Sequence, residues 1–177
     1  MARYDIDPAR STVWIEARSS LHPINSSTTG LEGFLEIELG HEGTVDLTSP
    51  PTGRLSLAVE RLSSGNRMED REMQRRIDAR RFPCIEGELG TMAHDGSADM
   101  YKVSGDISFR GVSRRHEDLM RITSVDGHTV RLEGSSRFDV RDYGMQPPKI
   151  LMLKVEPEVT VRVEIIATST APEGPEG

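Results

Sequence analysis

Apolar and polar residues alternate along most of this chain, the period-two signature of strands with one dry and one wet face. Over residues 12–18, Val13, Ile15 and Ala17 share one face, while Trp14 and Glu16 share the other. Over residues 33–40, Leu35, Ile37 and Leu39 alternate with Glu36 and Glu38. Leu55, Leu57 and Val59 repeat the pattern against Ser56, Ala58 and Glu60. Residues 84–92 read as a further strand, closed by a His94-Asp95-Gly96 turn. Tyr101, Val103, Ile107 and Phe109 then alternate with Lys102, Ser104, Asp106, Ser108 and Arg110 until Gly111 interrupts. Residues 116–122 resume an extended pattern, and Asp126-Gly127 is a strong hairpin signal ahead of residues 129–133. Residues 136–145 read as a strand end running into a loop, followed by the rigid Gln146-Pro147-Pro148. Finally, Leu151, Leu153, Val155, Val159, Val161, Val163 and Ile165 keep one parity. Pro157 has no N–H for a ladder bond and marks a bulge, an edge or a break in that run.

The connections are polar and turn-rich. Residues 19–29 carry Pro23, Asn25 and a serine-threonine run and read as a flap-like loop, and residues 48–53 read as another. The period changes only after Gly65. Asn66 is a suitable N-cap, with Glu69 three residues on in a box-like arrangement. Met68, Met73 and Ile77 fall along one side of a helix expected over residues 67–80, packed across an opening or a side of the fold. Glu72 and Arg76 are spaced to pair at i,i+4. Pro83 ends the helix because it disfavours helical geometry at Phe82. Arg75, Arg76, Arg80 and Arg81 are partly offset by Glu69, Asp70, Glu72 and Asp78 and read as a solvated face. Trp14, the only tryptophan, is expected to pack under a loop or this helix.

Composition narrows the picture. At 177 residues the chain is expected to form one domain over residues 1–167, followed by a disordered tail over 168–177 rich in Pro, Gly, Glu, Ser and Thr. Hydrophobic residues make up 35% and charged residues 29%, as in a soluble globular domain. No run approaches the roughly 18 apolar residues of a membrane span. The N-terminus has no apolar signal core, so a cytoplasmic location is expected. A net charge of −7 argues against nucleic acid as a partner. Cys84 is the only cysteine, so no intrachain disulfide can form, and it reads as a buried, inert thiol.

About eight strands, one helix and local connections predict an all-β fold with one short helix, an antiparallel up-and-down barrel. The sequence then resembles the YceI-like family of lipocalin-like polyisoprenoid-binding proteins. YDIDPARSTVWIEAR at 4–18 resembles the family's opening strand. SGNRMEDREMQRRIDARRFP at 64–83 resembles its helix, with Asn66, Asp70, Ile77, Asp78 and Phe82-Pro83 in the family's order. VSGDISFRGVSRR at 103–115 resembles its G-x-L-x-x-x-G-V-T-R strand, although Arg114-Arg115-His116 stands where the family usually has a proline. FDVRDYGM at 138–145 resembles its R-x-D-[FW]-G-[MI] motif through Arg141, Tyr143, Gly144 and Met145. No single motif is strong, but the ordered set spans nearly the whole chain. The resemblance implies a lipocalin-like barrel that binds or transports, without catalysis, a polyisoprenoid, an isoprenoid quinone or a similar long-chain lipid.

Candidate chemistry is sparse. His22, His41, His94, His116 and His128 are scattered, lack the close spacing of a metal site and read as surface residues. There is no G-x-S-x-G elbow, P-loop or dinucleotide fingerprint, so neither metal nor cofactor is expected. Arg141 and Asp142 are expected to pair and fix their loop, with Gly144 supplying an unusual backbone angle. The expected ligand-lining set is Val13, Ile15, Leu35, Ile37, Leu57, Val59, Val103, Ile107, Phe109, Leu132, Phe138, Val161 and Val163. Arg141, Tyr143 and Met145 are placed at the rim. Two alternatives stand beside this binding module: an enzyme acting on a small apolar substrate with Arg141, Asp142 or Tyr143 at the pocket's rim, and a filled barrel that binds a protein partner. A homodimer is one candidate assembly.

Overall fold

The computed structural model describes residues 1–147, 149–150 and 153–170. In chain order the strands are β1 (Ala2–Ile6), β2 (Thr12–Ser19), β3 (Pro23–Thr28), β4 (Glu32–Leu39), β5 (Val45–Asp46) and β6 (Thr52–Ala58). After helix α1 (Arg67–Ile77) follow β7 (Cys84–Asp95), β8 (Ser97–Phe109), β9 (Val112–Asp126), β10 (Thr129–Asp139), β11 (Lys149–Ile150) and β12 (Leu153–Ser169). The antiparallel order β1-β4-β6-β7-β8-β9-β10-β12 closes through β1–β12 pairing into the expected 8-strand barrel. Closure leaves no open edge within the ring.

The seam of the barrel is shared. β12 pairs with β2 from Val155 to Glu164, then with β1 at Ala167, Thr168 and Ser169. Ser11 sits fully buried at the changeover. Its hydroxyl donates to Ile166 O at 3.3 Å, which also accepts from Asp7 N at 2.8 Å, and accepts from Ile166 N at 3.1 Å, satisfying the backbone where β12 changes partner. The β12–β2 register shifts between Val155 and Val159, which places the expected Pro157 irregularity in a bulge. β12 also runs two residues past the expected domain end at 167. Residues 171–177 of the expected tail, and Pro148, Leu151 and Met152, lie outside the described residues.

Other boundaries differ from the sequence reading. Residues 23–28 form β3, hydrogen-bonded to β2 from Val13↔Thr28 to Arg18↔Pro23, not a flap. β10 continues without a break from Thr129 to Asp139. Between β8 and β9, Arg110 (φ 53°) and Gly111 (φ 73°) make a two-residue turn beneath the Phe109↔Val112 pair, the positive-φ geometry a tight hairpin needs. Val59 falls in a 3-10 turn (Val59–Arg61) instead of continuing β6.

Helix α1 is capped as expected by Asn66, whose side chain accepts from Met68 N at 2.9 Å and Glu69 N at 3.4 Å. The reciprocal half of the box comes from Ser64, whose Oγ accepts from Asn66 N at 3.2 Å, and not from Glu69. Glu72 pairs with Arg76 at 2.9 Å, as its spacing implies, and also with Arg75 at 2.8 Å. The helix stops at Ile77, before the expected residue 80, because Asp78 adopts a left-handed conformation at φ 58°. Ile77 is buried and Met73 partly so, whereas Met68 faces solvent. Ile77 packs with Val59 and Met145, bordered by Phe109 and Val140, and so caps one end of the barrel.

Trp14 lies on the outer face, where the Arg162 guanidinium stacks 4.0 Å above its ring, and not under a loop or the helix. Gly33 in β4 has φ 139°, and a Cβ built there would stand 2.0 Å from Arg54 O on β6. Gly33→Ala is therefore expected to lower stability by about 3 kcal/mol through backbone strain and displaced ladder bonds. Urea unfolding measures this, and a loss below about 1 kcal/mol would show that the two strands part easily at this point.

Candidate functional site

Inward side chains divide the barrel interior into a solid floor and a hollow upper half. At the end away from α1, Ile37, Val45, Tyr101, Ile122 and Val130 are all but fully buried. The Tyr101 hydroxyl accepts from Val45 N at 2.8 Å and donates to Ala98 O at 3.2 Å, tying the β5 segment over this floor. Toward α1 the interior opens into a cavity of about 450 Å³. That volume lies in the range of roughly 300–1,000 Å³ typical of small-ligand sites.

The hollow has a sequence origin. Gly53, Gly87, Gly105 and Gly134 occupy inward positions on β6, β7, β8 and β10 and line the cavity. Their cross-strand neighbours, Leu35, Leu55, Ile107, Leu89 and Val163, also line it, so the register places bare backbone where a barrel core would carry side chains. Ile24 and Ser26 of β3 reach the same space, as do Met73 and Ile77 of α1.

One group of polar side chains interrupts the apolar wall. His116 and Asp118 of β9 and Ser136 of β10 all line the cavity. His116 Nε2 lies 2.6 Å from Ser136 Oγ and 2.8 Å from Asp118 Oδ2, and the Ser136 hydroxyl donates to Asp118 Oδ2. The imidazole stacks on Phe138 with ring centroids 4.2 Å apart. Further carboxylates border the cavity: Glu69 and Asp70 at the start of α1, Glu156 on β12, and Glu88, which pairs with Arg54 at 3.4 Å. Asp70 accepts from Ser64 N and Ser64 Oγ, both at 2.8 Å, and so ties the helix start to the loop before it.

At the capped end Tyr143 is buried edge-on to Phe109, with centroids 5.6 Å apart. Its hydroxyl has no hydrogen-bond partner among the described residues. Burial, reinforced by the Asp142 carboxylate, pushes its phenol pKa above the ordinary value. Arg110 Nη1 donates to Tyr143 O at 3.3 Å, and Arg114 Nε donates to Asp142 O at 3.1 Å. Gly144 takes the expected left-handed conformation at φ 69° and closes this turn.

The YceI-like domain model matches residues 4–167. The chain belongs to the YceI-like family. Its barrel is similar to that of Burkholderia cenocepacia BcnA, with a TM-score of 0.76 and 16% identity over 93% of this chain and 100% of the other. It is also similar to a polyisoprenoid-binding domain from Saccharophagus degradans implicated in plant cell wall breakdown, with a TM-score of 0.74 and 10% identity over 96% and 99% of the two chains. A Campylobacter jejuni YCEI protein aligns with a TM-score of 0.63 and 10% identity over 84% of this chain and 86% of that one. At these identities the likeness is one of fold. Comparison with curated proteins finds no match.

Within this YceI-like barrel most of the expected lining residues do border the cavity: Val13, Ile15, Leu35, Leu57, Val103, Ile107, Phe109, Leu132, Phe138, Val161 and Val163. Two do not. Ile37 keeps the inward parity but lies one step further along β4, inside the solid floor. Val59 leaves the strand at the 3-10 turn and packs against Ile77 and Met145. Of the expected rim, Tyr143 and Met145 border the cavity, whereas Arg141 is exposed on the outside. Arg141 pairs with Asp139 at 2.6 Å and not with Asp142, and its hydrogen bonds hold the Asp139 carboxyl below the usual range. His116 is half-buried against the cavity and not at the outer surface. Its parity with Met120 and Ile122 carried that signal. Among the described residues no His, Cys, Asp or Glu group is gathered to hold a metal, and no helix is long and apolar enough to cross a membrane.

Proposed function

We propose that this protein binds a long-chain apolar molecule, of the polyisoprenoid or similar lipid class, inside its barrel without transforming it. The observation that carries this reading is the 450 Å³ cavity with a predominantly aliphatic wall. Each methylene moved from water into such a wall contributes about 0.8 kcal/mol, so affinity accumulates along a chain without many polar contacts. A structural relative described as a polyisoprenoid-binding domain supports the same reading.

His116, Asp118 and Ser136 invite comparison with a nucleophilic triad, and their geometry argues against one. A serine nucleophile needs one imidazole nitrogen as base and the other held by the carboxylate. Here Asp118 and Ser136 both meet the same nitrogen, Nε2. That arrangement favours a hydrogen-bonded cluster over a serine–histidine relay.

Purified protein incubated with a fluorescent polyisoprenoid analogue is expected to bind it saturably. Native mass spectrometry followed by solvent extraction should find apolar molecules of similar length in the protein. Failure of the wild type to bind any long-chain apolar probe would overturn the proposal.

A further inference from the structure

We infer that His116, Asp118 and Ser136 form a hydrogen-bonding station for a hydroxyl group on the ligand, which selects long-chain alcohols over hydrocarbons and phosphates. The inference deepens the reading of the cavity as a lipid site and rests on it.

Register fixes the station's place. Across β8, His116 faces Gly105 and Asp118 faces Val103, while Ser136 pairs with Val161 of β12. Val103, Gly105 and Val161 all line the cavity, so the three polar groups belong to its wall. Stacking on Phe138 holds the imidazole in place.

Proton accounting then selects the ligand group. The Ser136 hydroxyl donates to Asp118 Oδ2. Its oxygen and Asp118 Oδ2 both lie within reach of His116 Nε2, so that nitrogen carries a proton and donates to the pair. Every donor hydrogen in the cluster is then used. What remain are acceptors, Asp118 Oδ1 and, with the single ring proton on Nε2, His116 Nδ1, neither of which has a protein partner among the described residues. The station therefore offers the cavity an acceptor, and a ligand must bring a donor hydrogen. A hydroxyl does; a hydrocarbon does not. A phosphate would bring negative charge toward Asp118 past Glu69, Asp70 and Glu156, with Arg54 the only arginine or lysine among the described lining residues and that one paired with Glu88.

The test compares geranylgeraniol, the hydrocarbon lacking its hydroxyl, and geranylgeranyl phosphate, by displacement of a fluorescent probe. The wild type is expected to prefer the alcohol to the hydrocarbon by about tenfold, the value of one hydrogen bond to a charged acceptor, and to bind the phosphate more weakly than the alcohol. Asp118→Leu should bring the alcohol-to-hydrocarbon ratio near one. Asp118→Asn, which preserves shape, should narrow the gap between alcohol and phosphate. Equal wild-type affinity for alcohol and hydrocarbon, or a preference that survives both substitutions in folded protein, would overturn the station and leave the lipid reading standing. Binding of none of the three probes would overturn the lipid reading and the station with it.

Discussion

Tyr101→Ala is expected to lower stability by about 5 kcal/mol, enough to unfold most of the population of a domain of ordinary stability at 37 °C. Tyr101 is fully buried in the barrel floor, beneath Ile37, Val45, Ile122 and Val130. Truncating a large aromatic in such a site costs about 3–5 kcal/mol in lost transfer and residual cavity. The substitution also strips the Val45 N–H of its acceptor, and an unsatisfied buried donor adds about 1–3 kcal/mol. Tyr101→Phe separates the two effects, since it keeps the ring and loses only the hydrogen bonds; about 1–2 kcal/mol is expected. Urea titration of both variants gives the answer. An alanine variant that loses less than about 2 kcal/mol at unchanged m-value would mean that the floor does not hold the barrel together.

The strands were legible because a barrel with a dry interior and a wet exterior writes its register directly into sequence. β8 shows this best: Tyr101, Val103, Ile107 and Phe109 point inward with polar residues between them. β3 was illegible for the same reason. Its inward residues are Ile24 and Ser26, its outward ones Asn25 and Ser27, so hydrophobicity barely alternates. Backbone pairing to β2 makes the strand, and composition does not record it. Val59 failed differently. It continues the parity of Leu55 and Leu57, and alternation alone cannot show that the chain coils into a 3-10 turn at Val59 itself. Asp78 likewise ends α1 by its backbone angle, before Pro83 can.

The site was half legible. Apolar lining followed from parity, but two features that give the cavity its character are encoded by residues that look uninformative. Glycines inside strands read as weak points, yet here they subtract side chains from the interior. His116 reads as a surface residue because the histidines are scattered along the chain, and the alternation of β9 is blurred by Leu119, an exposed large hydrophobic. The inward face of β9 is His116, Asp118, Met120 and Ile122; parity with Met120 and Ile122 hints at it, and the pairing to Gly105, Val103 and Tyr101 fixes it.

If missing side chains create the cavity, restoring one should close it. Gly134→Leu is expected to leave the protein folded and to weaken binding of a fluorescent polyisoprenoid by about two orders of magnitude. Gly134 lies inward on β10 between Leu132 and Ser136, and its backbone is not in a left-handed conformation. A Cβ there would meet the Met120 Cε at 3.3 Å, the far end of a flexible side chain that can yield. The leucine would then project into apolar space, where its burial is favourable and offsets the cost of crowding. Excluding about four methylenes of ligand removes about 3 kcal/mol of binding, close to a hundredfold. Arg137→Leu, the same side chain placed on the exposed face of the same strand, should leave affinity unchanged. A folded Gly134→Leu protein that binds as tightly as the wild type would move the ligand out of the barrel altogether, because no chain could share that space with the new side chain.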